Sequence, residues 1–324
     1  MKAKKVYEFR TSGEIISMGK DAILDKFEQY LINNNINFLK KNNKFIIKHR
    51  LVFTNDLWFI RNSSMFDIII NNISYVEALD ITDIKNIKFL PSTLTISSWL
   101  EAPNSGIEYL ESKINGSINL DNTPIKEIRN EHFKTNGDLD LTNCKNITKL
   151  PKYLIVGGDL VLEYTNISEL PSTIRVYNGL YIGKSKITKI PDNLNNFSET
   201  LDVSYSDVTE LPENLMLKST LNIEHTNIKK LPQSIYIGES LLASYSALEE
   251  FPNRTYFSWD VDISNTNITK LPDNLRIFKD FDIRNTPIKE LPIDLYVKDK
   301  LKITKEQSKY LNIPPKLKDK TIIY

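Results

Sequence analysis

The chain has 324 residues, 40% hydrophobic and 26% charged, ordinary proportions for a folded protein with a core. Its net charge of +1 gives no global argument for nucleic-acid or membrane binding, and no apolar run approaches the ~18 residues that cross a bilayer. A single cysteine, Cys144, excludes an internal disulfide and a cysteine-rich zinc site.

Charge is unevenly placed. Residues 1–50 carry eleven Lys/Arg against five Asp/Glu, an excess of +6, which leaves 31 basic and 36 acidic residues, or −5, in the remainder. The basic start, MKAKKVYEFRTSGEIIS, lacks an uninterrupted apolar stretch. No secretory leader is therefore read, and a cytoplasmic location is expected, in the source cell or in an infected host.

Residues 1–75 are predicted to form a small α+β N-terminal cap. Val6–Phe9 reads as a strand. Asp21–Leu31 sets Ile23, Leu24, Phe27, Tyr30 and Leu31 on one helical face. Asn37–Leu39 and Phe45–Lys48, on either side of Lys41–Lys44, suggest a hairpin, and further strands are expected at 51–53, 57–60 and 66–70.

Residues 76–304 repeat. Val76–Pro91 is a degenerate first coil, and the units Leu100–Leu110 and Ile114–Ile128 lack a Leu-Pro step. From Leu150-Pro151 onward, prolines stand at 151, 171, 191, 212, 232, 252, 272 and 292. The unit Leu271–Pro292 places Leu275, Ile277, Phe281, Ile283, Ile288 and Leu291 in an order that suits neither a helix nor a plain strand. It suits a coil that turns several corners and points each apolar residue to one axis. Pairs such as Leu201/Val203 and Phe281/Ile283, each flanking one polar residue, predict short strands stacked in parallel. A hydroxyl three positions on (Thr165, Ser185, Ser206, Thr226, Ser246, Thr266, Thr286) can satisfy backbone groups where the chain leaves the sheet. The proline then fixes an extended return segment outside the ladder.

The phrase LPxxLxIxxxLxIxxTxIxx resembles the short, bacterial-type leucine-rich repeat of secreted effectors and of many phage and bacterial proteins, with Thr or Ser in place of the usual turn Asn. The resemblance implies a leucine-rich-repeat solenoid of about ten coils. Its concave face would be a parallel β-sheet and its convex segments extended, like polyproline II. It also implies a protein-binding, effector or host-interaction role. Some such proteins carry a ubiquitin-ligase domain with a catalytic cysteine after the repeats. Here only about twenty residues follow the last coil and Cys144 lies in an early one, so that activity is not carried over. Residues 305–324 are expected to be a C-terminal cap: Thr304–Gln307 reads as a capping box opening a short helix to Leu311, and Thr321–Tyr324 as a last strand.

The strand assignment places Asp159, Glu163, Asp202, Glu224, Asp260, Asp262, Asp280 and Asp282 on the concave face. Beside them runs a column at the strand exit that includes Tyr164, Tyr205, His225 and Tyr245, and Tyr181 adds apolar surface. This face predicts a non-enzymatic scaffold for a basic or mixed-charge protein, with tyrosine anchors and carboxylates that set register. The square of Asp260, Asp262, Asp280 and Asp282 has the chemistry for a divalent cation, but Arg284 and Lys302 can neutralise it, and the salt-bridged reading is preferred. Cys144 is assigned to the column of Tyr164 and is expected to be accessible. No Gly-rich phosphate loop, nucleophile triad or histidine pair with ligand spacing is present, so neither an enzyme nor a cofactor is expected. The alternative places function in residues 1–75, with Lys40, Lys41, Lys44, Lys48 and Arg50 on nucleic acid or an anionic surface and the repeats as a positioning arm.

Overall fold

The computed structural model describes residues 19–55, 57, 60, 62–194, 199–251 and 256–324. The strand expected at Val6–Phe9, half of that at 57–60, and Pro252 lie outside them.

The fold begins with helix α1 (Lys20–Asn33), which buries Ile23, Phe27 and Leu31 at the predicted spacing. Strands β1 (Phe38–Lys41) and β2 (Lys44–Val52) pair antiparallel, Lys41 opposite Lys44. Asn42 and Asn43 between them take φ of 50° and 57°. Both central turn residues are then left-handed, the conformation that two-residue hairpins favour and asparagine tolerates. The segment 66–70 is not a strand. It lies in helix α2 (Ser63–Asn71), where Asn62 caps the start by accepting the Met65 N–H at 3.3 Å. Met65, Phe66, Ile69 and Ile70 are all buried, a spacing that makes one helical stripe of a run whose isoleucines read locally as strand. The Phe27 and Phe45 rings meet edge-on at 5.2 Å, and Phe53 and Phe66 at 5.4 Å.

Strand β3 (Ile73–Asp80) runs parallel to β2, and from it the sheet continues as one register. Leu79 pairs with Leu100, then Ile118, Leu139, Leu160, Leu180, Leu201, Leu221, Leu241, Val261, Phe281 and Leu301. Those residues mark twelve successive coils of a leucine-rich-repeat-type solenoid. Counting from sequence gives about ten, because the early coils lack the Leu-Pro marker yet keep the inward residues. The pairing residues are all buried, so one apolar column runs the length of the molecule. One coil alone would expose that column on both sides. Stacking hides it, contributing about 2 kcal/mol per buried leucine before chain entropy.

On the return side the chain is extended, as expected, and the extended segments also pair with one another. Two-residue strands there pair in parallel from coil to coil, as Met216-Leu217 does with Tyr236-Ile237, and Tyr256-Phe257 with Arg276-Ile277 and Tyr296-Val297. Their second residues are buried and most of the first are exposed. Backbone N–H groups not used by the concave sheet find partners in this second ladder.

The hydroxyl column behaves as its chemistry requires. Thr165, Ser185, Ser206, Thr226, Ser246, Thr266 and Thr286 are buried. Each donates to the carbonyl three residues back, at 2.5 to 2.8 Å. At the far end, the Thr304 hydroxyl accepts the Gln307 N–H at 3.1 Å and the Gln307 side chain accepts the Thr304 N–H at 2.9 Å. The reciprocal box opens a 3-10 turn at Gln307–Lys309, not an α-helix. Gln307, 2% exposed, donates to the Ile283 carbonyl at 2.8 Å and so closes the last coil. Thr321–Ile323 adds a final parallel strand.

Candidate functional site: the concave face and its exit column

Eleven of the twelve concave strands leave the sheet by a recurring turn. Asp202 accepts the Ser204 N–H on Oδ1 at 2.8 Å. Asp80, Asn119, Asp140, Asn222, Asp262 and Asp282 make the same bond to the N–H two residues on, at 2.8 to 3.1 Å. An aspartate or asparagine at strand centre thus organises the turn with its own side chain. The next corner residue lies in the left-handed region in eleven coils, from Asp83 to Asn285, with φ between 54° and 62°. The N–H after it returns to the carbonyl three residues back, as Ser206 does to Val203 at 3.2 Å. A positive φ at the third position of a β-turn is the type II requirement, which glycine or asparagine meets most easily.

The structure sorts the predicted carboxylates into three groups. Asp202, Asp262 and Asp282 share the central column with Asp80, Glu101 and Asp140. Glu163 and Glu224 stand one column nearer the exit. Asp159, Asp260 and Asp280 precede the strand and tie coil to coil. Asp159 accepts from Asn178 Nδ2 at 2.6 Å and the Gly179 N–H at 2.7 Å. Asp260 accepts the Asp280 N–H at 3.0 Å, and Asp280 the Lys300 N–H at 3.1 Å.

Asp282 is withdrawn from the surface. It is 4% exposed, and Arg284 clamps it with Nε at 3.0 Å from both oxygens and a terminal nitrogen at 2.7 Å. It does not lie on the open concave surface where its spacing placed it. The sequence could not show this, because the guanidinium folds back over its own strand. Lys302 pairs with Asp280 at 2.8 Å, so two corners of the acidic square are neutralised by side chains of this chain.

Elsewhere negative charge is in excess. Burial, and then the nearby Asp202 and Asp140, push the Glu163 carboxyl above the usual range, with Lys184 opposing. Among the described residues nothing hydrogen-bonds to the Glu163 side chain. Burial also raises Asp262, against the hydrogen bonds from Ser264, and Asp282 and Glu224 add to the rise. Glu101 is raised by burial and by Asp80 and Asp140. Like charges on stacked strands hold one another in this state.

The exit column is asparagine or aspartate at both ends, and there the side chains bond along it: Asn122 to Asn104 at 2.6 Å, Asn285 to Asn265 at 2.9 Å. Across five consecutive coils it is instead Tyr164, Lys184, Tyr205, His225 and Tyr245, all at positive φ. Without a short polar side chain, this conformation costs roughly 1 kcal/mol per residue. Tyr205 and His225 stack at 4.2 Å and 17°, and His225 and Tyr245 at 4.7 Å and 8°. The Lys184 ammonium lies between Tyr164 and Tyr205, 4.8 and 5.2 Å from the ring centres, and donates to the Tyr164 hydroxyl at 2.6 Å. Tyr164, Tyr205 and Tyr245 remain 42%, 50% and 58% exposed. Their rings add little to the core.

Two solved structures show a distant similarity. A leucine-rich-repeat protein of Leptospira interrogans is similar at 14% identity and a TM-score of 0.38, over 85% of this chain and 99% of that one. YopM from Yersinia enterocolitica is similar at 13% identity and a TM-score of 0.24, over 95% and 100%. No family model and no curated protein matches the chain. The fold assignment therefore rests on the strand register.

Tyr181 lies on the central column, half-buried, with Gly179 beneath its ring. A Cβ at Gly179 would come within 2.6 Å of that ring, so the glycine lets the tyrosine lie flat. Cys144 is not in the column of Tyr164; Asn143 is. Cys144 is fully buried in the hydroxyl column, where its Sγ donates to the Leu120 carbonyl at 3.0 Å and lies 3.4 Å from the Thr123 hydroxyl. Burial pushes its thiol up. The error is one residue of register: a thiol replaces the turn hydroxyl.

Of the basic N-terminal set, Lys40 pairs with Glu28 and lies over Phe45, and Arg50 pairs with Asp80 at 2.7 Å and stacks on Trp99. No described helix is long and apolar enough to cross a membrane. Sequence reasoning missed the exposed Met216, Tyr236 and Tyr256 of the return ladder. Their signal is the polar-looking position before each buried residue of that strand.

Proposed function

We propose that the concave sheet is a non-enzymatic docking surface for a protein partner of basic or mixed charge, and that the effector-type role implied by the repeat phrase belongs to this same reading. One observation carries it. Asn119 and Asn222 make the exit-turn hydrogen bond without charge, so the turn does not need the charge of Asp140, Asp202 and Asp262. Burial raises Glu163 and Asp262 and the neighbouring carboxylates add to the rise, an electrostatic cost that a cationic partner would offset.

The test exploits the same equivalence. Asp140→Asn, Asp202→Asn and Asp262→Asn together keep the turn bonds and remove three charges. Peptides selected from a random displayed library on the wild-type chain are expected to be enriched in Lys and Arg, and to bind the triple variant at least tenfold more weakly. Equal binding to both proteins overturns the proposal.

A further inference from the structure

The stacked exit column asks for its own explanation. Five adjacent coils abandon the residue type that suits the backbone there, and they do so for four rings and a lysine left largely in water. Geometry limits what those rings can meet. Their faces within the column are covered by Lys184, by His225 and by one another, so a sugar or a nucleobase has no stack of free faces on which to lie. The column presents ring edges and phenol hydroxyls, a low wall across four coil spacings, or about 19 Å.

Carboxylates flank the foot of this wall at a regular interval. Glu163 and Glu224 belong to coils three apart, as do Asp140 and Asp202, and Asp202 and Asp262. Three coil spacings span about 14 Å, and four residues of extended chain span about 13 to 14 Å. Residues four apart in an extended chain also face the same way.

From these observations we infer that the wall of Tyr164, Lys184, Tyr205, His225 and Tyr245 is a track for an extended polypeptide segment that carries Lys or Arg at every fourth residue. The segment lies along the solenoid axis. The aliphatic stems of its basic residues pack on the ring edges, its carbonyls accept from the tyrosine hydroxyls, and successive cationic heads reach Glu163 and Glu224, with Asp202 adding to the negative field between them. This rests on the docking reading above and specifies its ligand.

The column supplies its own control, because asparagine is the residue of the flanking coils and fits the same φ. The assay is fluorescence anisotropy of a labelled peptide with four repeats of Arg-Ser-Thr-Ser, against one of identical composition with its arginines adjacent, on the full chain. The four-residue spacing is expected to bind at least tenfold tighter. Tyr205→Asn with Tyr245→Asn should abolish most of that preference while leaving the thermal midpoint unchanged or higher. Three results overturn the inference: equal binding of the two peptides, wild-type affinity in the asparagine variant, or tighter binding of a single-stranded oligonucleotide by the wall. If the aspartate-to-asparagine triple variant loses peptide binding while the wall variant does not, the acidic face survives and the track fails. If neither loses it, both readings fail.

Discussion

Arg284→Met isolates the buried carboxylate of Asp282. The carboxylate side chain is 6% accessible and the guanidinium 34%, and the substitution removes three contacts of 2.7 to 3.0 Å. The Arg284 backbone N–H still reaches Oδ1. Asp282 is left with one neutral hydrogen bond, with Asp262 opposite it on one side and Lys302, already paired with Asp280, on the other. Hydrogen bonds to charged groups contribute about 1.5 to 3 kcal/mol, and the partly exposed guanidinium places this site toward the lower end, near 2 kcal/mol. That is about a thirtyfold rise in the local opening constant. Native-state hydrogen exchange should show it at the Ile263 and Ile283 amides, which bond to Asp282 and Lys302 at 3.0 and 3.1 Å. The Leu141 and Leu162 amides, six or more coils away, should not respond, since coils couple mainly to their neighbours. Adding Asp282→Asn removes the stranded charge and keeps the turn bond, so the double variant is expected within about 1 kcal/mol of wild type. If the double variant opens as readily as the single one, the clamp does not neutralise a buried charge, and the reasoning about Asp282 is wrong.

Two further outcomes follow from the titrating groups. Cys144 should react with an aromatic disulfide reagent only as the chain unfolds, and Cys144→Ser should stay within about 1 kcal/mol of wild type because a hydroxyl fills that position in its neighbours; rapid native labelling would contradict this. Glu163 and Asp262 are carboxyls raised in the fold above the ordinary values of 4.5 and 3.8. In the window just above those values the folded chain holds more protons than the unfolded one, so these two groups lower stability as pH rises through it. Glu163→Gln with Asp262→Asn should therefore gain stability relative to wild type between pH 4 and pH 7 in urea titrations, and a pH-independent difference would refute the assignment.

Much of the architecture was legible because a solenoid writes its geometry into every coil. The prolines and the Leu-x-Ile pairs gave register, inward residues and the identity of the outward columns from Leu150 on. Where the sequence misled, a local signal lacked its context. Phe66–Ile70 is rich in β-branched residues, and only the Asn62 cap and the Met65, Phe66, Ile69, Ile70 stripe distinguish it as a helix. The first coils keep the buried residues without the proline, so they were undercounted. Asp282 looked equivalent to Asp202 because nothing in the spacing shows that Arg284 turns back over it. The central aspartates read as surface charge alone, although the N–H two residues on makes each of them part of a turn. That role appears once Asn119 and Asn222 are recognised as occupants of the same position.

The exit turn recurs at eleven backbone positions with nearly one φ. A substitution there alters what faces a visitor without disturbing the leucines beneath. New binding preferences can accordingly be tried one coil at a time, each at a small and local expense in stability. The buried stack acts as a fixed alphabet on which the outer script is rewritten.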